Sequence, residues 1–168
     1  MGTKNLCIVL QDQQVRVAQY GQWDGHPKAM GIIVLRFLKD TPKVKQLRET
    51  LKTVRFENET DDSQVCLSAN GGEILELLIQ LLTQKEIVLE NSYDFAANSL
   101  WCEWAYLIDL DQNIFEVYKG MNTEELTIQD RFYPITEEGY SYKPVKIFRS
   151  FTLNELPSED EFLSLCLT

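Results

Sequence analysis

Asp24 and His26 are the two side chains in this sequence best placed to move a proton. They stand two residues apart in the run Gln19-Tyr20-Gly21-Gln22-Trp23-Asp24-Gly25-His26-Pro27, and His26 is the only histidine of the 168 residues. Imidazole titrates near neutral pH and a neighbouring carboxylate can orient it, so the pair reads as a candidate general acid and base. A lone His beside a Pro in a turn also reads as a packing or hydrogen-bonding residue, and that second reading is preferred. Gln19, Tyr20, Gln22 and Trp23 add amides and rings to the same stretch. Together with Asp24 and His26 they form the candidate binding set, on a loop of the kind that carries function when a rigid scaffold holds it.

Other reactive groups give weaker patterns. Cys7 lies on an apolar run near the N-terminus, but an N-terminal nucleophile must be the processed first residue so that its α-amine can serve as base. Six residues precede Cys7, and Thr3 would need a shorter cut. The chain holds no nucleophile elbow, phosphate loop, dinucleotide fingerprint or HExxH motif. Cys7, Cys66, Cys102 and Cys166 form no C-x-x-C pair, and with one His they make a zinc site improbable. Reduced, mostly buried thiols are expected instead. The acidic run Glu57 to Ser63 lacks the spacing of a calcium loop. No metal or cofactor is expected, and the balance of motifs favours a non-enzymatic role.

Charge narrows the partners. The formal net charge is −10, from 26 acids and 16 bases, which opposes phosphate backbones and anionic membranes and suits a basic protein surface. Solubility is the simpler cause of such a charge than nucleic-acid mimicry. Lys43, Lys45, Arg48 and Lys52 form the one basic cluster, read as a solvated helix face. No apolar run approaches the ~20 residues of a membrane span, and the first residues lack a secretion signal's apolar core. A cytoplasmic location is expected.

The elements that must position the loop follow from periodicity. Asn5–Leu10 and Val15–Tyr20 read as a hairpin, with Val15, Val17 and Gln19 on one face and Arg16, Ala18 and Tyr20 on the other. Apolar spacing predicts helices after Pro27, after Pro42 with Thr41 as N-cap, and from Glu73 to Leu82 behind a Gly71-Gly72 turn. A short strand is expected at Glu86–Glu90. Trp101–Leu110 and Ile114–Lys119 form the clearest hairpin, with Cys102, Trp104, Tyr106, Ile108 and Leu110 as its better core face. Residues 123–142 are polar and irregular, longer than an ordinary structureless loop, which suggests a flap. Val145–Phe151 reads as a strand, and Ser158 with Glu161 as the capping box of a terminal helix. The sum is a single α+β domain over residues 1–168, a mainly antiparallel sheet of hairpins covered by about four helices.

Met1-Gly2-Thr3, the nonapeptide Gln19 to Pro27, the strand Cys102-Glu103-Trp104-Ala105-Tyr106 with Asp109-Leu110-Asp111, and Val117-Tyr118-Lys119-Gly120 together resemble a family of small bacterial and bacteriophage proteins. That family carries a Gln-Tyr-Gly-Gln-Trp-Asp-Gly-Tyr-Pro-like loop. Here His26 replaces the Tyr, and Lys28-Ala29-Met30 stands where a Glu-Gly-Gln-like run is usual. The exchange suggests that ring size matters more there than an imidazole proton. The resemblance implies no activity, cofactor or catalytic residue, but its distribution in phages and mobile elements implies dealings with host or rival defence systems. The expectation is an acidic accessory protein acting by protein–protein interaction, its partner a bacterial host or defence component. The alternative is a small-molecule or nucleotide-binding, hydrolase-like protein whose pocket lies at the 19–27 loop under the 123–142 segment.

Overall fold

Tight turns and apolar alternation fold the chain into two hairpins that share one sheet. The computed structural model describes residues 2–58 and 66–167, so most of the acidic run at 57–63 lies outside the described residues. Strand β1 (Asn5–Gln11) turns through Asp12 and Gln13 into β2 (Gln14–Gly21). Both turn residues are left-handed, with φ 55° and 60°, the geometry that matches the twist of a two-residue hairpin. Helices α1 (Ile32–Lys39) and α2 (Thr41–Thr50) follow, then β3 (Val54–Phe56), α3 (Ile74–Ile79) and β4 (Ile87–Leu89). The second hairpin is β5 (Trp104–Asp109) and β6 (Ile114–Lys119); β7 (Lys146–Thr152) and α4 (Glu159–Cys166) complete the chain.

The main sheet has the order β2-β1-β5-β6-β7, and β3 and β4 form a small parallel pair. Among the described residues the fold is α+β and mostly antiparallel with four α-helices, as expected. Its central pairing is the exception: β1 and β5 run parallel, Asn5 opposite Trp104 and Leu10 opposite Asp109. A parallel neighbour needs a long crossover, and the helices between the hairpins supply it.

Two expectations about residues need correction. Val9 pairs with Val17 but Leu10 with Val15, so Arg16 is the extra residue of a bulge. A bulge shifts everything beyond it to the other face, and Val15 packs with the second core rather than beside Val17. The N-cap of α2 is Asp40, not Thr41: its carboxylate accepts the Lys43 N–H at 3.2 Å, and Thr41 and Pro42 are the first helical residues. Asp40 wins because its side chain is the one extended backbone places over the helix start. Ser158 caps α4 as expected, accepting from the Glu161 N–H at 3.1 Å.

Both faces of the sheet are buried. On one, Cys7, Val9, Tyr106, Ile108, Phe115 and Val117 meet apolar side chains of the four helices, such as Leu35, Leu47, Leu75 and Phe162. On the other, Leu6, Ile8, Ala105, Leu107 and Tyr118 meet Ala96, Leu126, Phe132 and Val145. The second hairpin therefore has two core faces rather than one, because a 3-10 turn at Tyr93–Ala97 and the segment after β6 replace a helical layer. Each fully buried large apolar side chain contributes about 1.5–3 kcal/mol.

Burial makes the thiols a pH-dependent part of this core. It pushes the Cys7 thiol from its ordinary 9.0 up to about 12 and Cys166 up to about 11; Cys102 is raised further by burial and by Glu103. A folded-state value above the unfolded one stabilises the fold fully at neutral pH, and that stabilisation is lost as rising pH ionises the unfolded chain. We expect Cys7 and Cys102 together to cost about 3 kcal/mol of stability at about pH 10 relative to pH 8. Urea unfolding at the two pH values checks this, and Cys7→Ala should flatten the dependence.

Candidate functional site

The nonapeptide leaves β2 at the sheet end where Gly21, Asn5, Trp104, Lys119 and Lys146 stand side by side across five strands. Its backbone is pinned from several sides. The Asn70 side chain holds Trp23 as a strand neighbour would, accepting from the Trp23 N–H at 3.1 Å and donating to its carbonyl at 2.9 Å. Gly25 N–H donates to Thr3 O at 2.9 Å, and the Tyr106 hydroxyl donates to Gly25 O at 2.7 Å inside the core. Asp24 O accepts from Met30 N–H at 3.0 Å, closing the wide turn at Pro27–Gly31 that leads into α1.

Asn5 is the hub of this corner. It is fully buried, its Nδ2 reaches Trp23 O at 3.4 Å, and its amide fits only because glycines surround it. A Cβ on Gly71 would lie 2.0 Å from Asn5 Oδ1, and one on Gly25 would lie 2.7 Å from Asn5 Cβ. Gly71 also has φ 54°, a left-handed conformation that glycine adopts without steric cost. The Gly71-Gly72 pair is thus a tight turn closed around Asn5, at the start of a 3-10 turn rather than of a long helix.

The six candidate residues do not converge. Gln19 is buried and its Nε2 donates to Tyr20 O and Ser68 Oγ. Tyr20, one residue on, packs edge to face on Phe95 at 5.0 Å and bonds Gln22 through its hydroxyl. Successive strand residues face opposite sides of a sheet, so Gln19 and Tyr20 cannot line one pocket with their side chains. Asp24 is exposed, with φ 54°. His26 Nδ1 is buried and has no hydrogen-bond partner among the described residues, so Asp24 does not orient it and the acid–base pair is not assembled. None of four cavities of 250–520 Å³ is lined by any of the six.

What this end of the molecule does present is exposed apolar surface. Trp23 is 56% exposed, Trp101 54% and Met121 60%, with Leu100 beside Trp101. Trp23 lies over Gly2, where an added Cβ would come within 2.4 Å of the ring. Lys4 places its ammonium 4.7 Å from the Trp101 ring centre, a cation–π contact that fixes the indole. Residues 2–4 therefore run between the two tryptophans. Trp101 was legible as an aromatic of the hairpin, but nothing in the sequence marks it as lying outside the core. Most of the basic cluster on α2 and the turn after it is taken up within the fold: Lys43 pairs with Glu76, Lys52 with Glu49, and Arg48 donates to Leu110 O and Asn113 Oδ1.

A second polar cluster lies toward the opposite sheet end and has no motif behind it. The 123–142 segment does not close over the nonapeptide's candidate residues as a pocket lid. It buries Leu126 and Phe132 and brings Arg131 to Glu116 and to Asp109, 3.4 Å away. Asp109 also caps its own turn, accepting from the Asp111 and Gln112 N–H groups at 3.0 Å. Asp111 in turn accepts from the Asp12 and Gln13 N–H groups, which hold its carboxyl below the usual carboxylate range. Only the alternation that sets Asp109 opposite Tyr106 hinted at it.

Among the described residues, no group of three or more His, Cys, Asp or Glu is arranged to hold a metal ion, and no helix is long and apolar enough to cross a membrane. Comparison with known proteins found no matching family model, no matching curated protein and no matching solved structure.

Proposed function

We propose that the protein is an interaction module that docks a protein partner on the Trp23–Trp101 end of its sheet. The observation that carries this reading is the pair of tryptophans, each more than half exposed, with the Trp23 backbone held by Asn70, the nearby Gly25 held by the buried Tyr106 hydroxyl, and the Trp101 ring held by Lys4. Large rings held rigidly lose little entropy on contact, and tryptophan is the residue most enriched at energetic centres of interfaces. The net charge of −10 favours a partner with a basic rim. The resemblance to phage and mobile-element proteins supports a bacterial host or defence protein as that partner. A ligand pocket at the loop has less support, since Gln19 and Tyr20 face apart.

The test is affinity capture from bacterial lysate, comparing wild type with Trp23→Ala and Asp24→Gly. Asp24→Gly removes the carboxylate while tolerating the left-handed backbone, so it should fold normally. Loss of a central tryptophan typically costs 2 kcal/mol or more, so Trp23→Ala should retain at least about 30-fold less of a stoichiometric partner. Equal recovery by wild type and Trp23→Ala, or no partner for wild type, would sink the reading.

A further inference from the structure

At the other end of the sheet we infer a binding site for a small, neutral, planar ring that carries adjacent N–H and C=O groups, the edge found in lactams and in uracil-type imides. The site is a cavity of about 450 Å³ lined by Leu10, Gln13, Tyr93, Asp109, Asp111, Gln112 and Arg131. That volume falls within the usual range for small-molecule sites. It is independent of the tryptophan face.

Unused hydrogen-bonding capacity defines the ligand. Asp109 is only 3% exposed; its Oδ1 is occupied by two backbone N–H groups, whereas Oδ2 has only Arg131 Nη2 beside it, at 3.4 Å. Arg131 commits Nε and Nη2 to Glu116. A guanidinium has five N–H groups; with the Tyr118 hydroxyl also bonded to Arg131, two of the five remain. The cavity thus shows an acceptor, Asp109 Oδ2, and a donor, the Arg131 guanidinium, side by side, with Oδ2 and Nη2 3.4 Å apart. Asp111 is exposed to water and each of its oxygens accepts one N–H of the β1–β2 turn, so it offers a ligand less than the buried Asp109 Oδ2.

Charge excludes the simpler ligands. An anion entering toward Arg131 meets Asp109 and Asp111, and a cation entering toward Asp109 meets the guanidinium. A neutral group with one donor and one acceptor satisfies both. Leu10 and the Tyr93 ring, itself held on Phe132 at 5.6 Å, give the cavity the apolar wall on which a flat ring packs. Burial raises the Tyr93 phenol above its ordinary value, so its hydroxyl stays a donor at neutral pH.

The probe is uracil, followed through backbone amide shifts by NMR on the full chain. Uracil at millimolar concentration should move the Gln13 and Asp109–Gln112 amides. Dimethyluracil, with both ring N–H groups methylated, should bind at least about tenfold more weakly because it offers Asp109 Oδ2 no N–H to accept. Tyr93→Phe, which keeps the ring and the packing, should weaken uracil about fivefold through loss of one hydroxyl contact. Unmoved amides, or equal shifts from uracil and dimethyluracil, would overturn the assignment and leave Arg131 as a clamp for the 123–142 segment.

Discussion

Gly71→Ala is expected to lower the free energy of unfolding by about 3 kcal/mol, the sum of about 1–2 for an alanine forced into left-handed backbone and about 1–3 for overpacking. The second part arises at one atom, Asn5 Oδ1, which a Cβ on Gly71 would approach to 2.0 Å. In a chain of this size the loss corresponds to roughly a 10 °C lower Tm. The two causes separate in a double-mutant cycle. Asn5→Ala removes Oδ1 and Cγ, the nearest obstacles, so Gly71→Ala should cost about 1–2 kcal/mol less in that background, leaving the backbone penalty. Denaturation midpoints of the four proteins give the coupling directly, and a coupling near zero would mean that the Asn5 hub does not tie Gly71 to the loop. Because Asn5 also bonds Trp23 O, loss of the hub should loosen the tryptophan before it unfolds the sheet.

Arg131→Met should cost about 3 kcal/mol, toward the low end for breaking a buried ion pair, because it leaves Asp109 and Glu116 without a cation. Their side chains are 4% and 14% exposed, and Arg131's is 26%, so solvent replaces little of what is lost. Arg131→Lys identifies the cause: it keeps a cation beside the two carboxylates and should recover more than half of the loss, whereas a lysine variant as unstable as Arg131→Met would point to lost packing and fork geometry of the arginine.

Local features were legible and long-range ones were not. Turn residues at Asp12-Gln13 and Asn113, the apolar stripe of α1 and the Ser158 cap announce themselves within a few residues, because each rests on chemistry between near neighbours. The β1–β5 pairing does not, since Asn5 and Trp104 are joined across most of the chain by no local signal. The bulge at Arg16 was hidden too: Val15 and Val17 obey simple alternation in sequence, and only the pairing partner reveals the extra residue. The nonapeptide was visible by composition, but its division was not. Gln19 and Tyr20 face apart, while Asn5 and Asn70, unremarkable polar residues elsewhere in the sequence, hold the loop. Arg131 was missed because an irregular segment has no periodicity to say which side chain turns inward.

Exposure at position 23 becomes function only if something occupies it. A photo-reactive amino acid placed at Trp23, and separately at Ile128, which is 80% exposed and follows the start of the 123–142 segment, tests this in bacterial lysate under light. We expect one discrete protein adduct from position 23, competed away by unlabelled wild type, and none from position 128. Adducts from position 128 alone, or none from either site, would contradict a tryptophan face built for a partner.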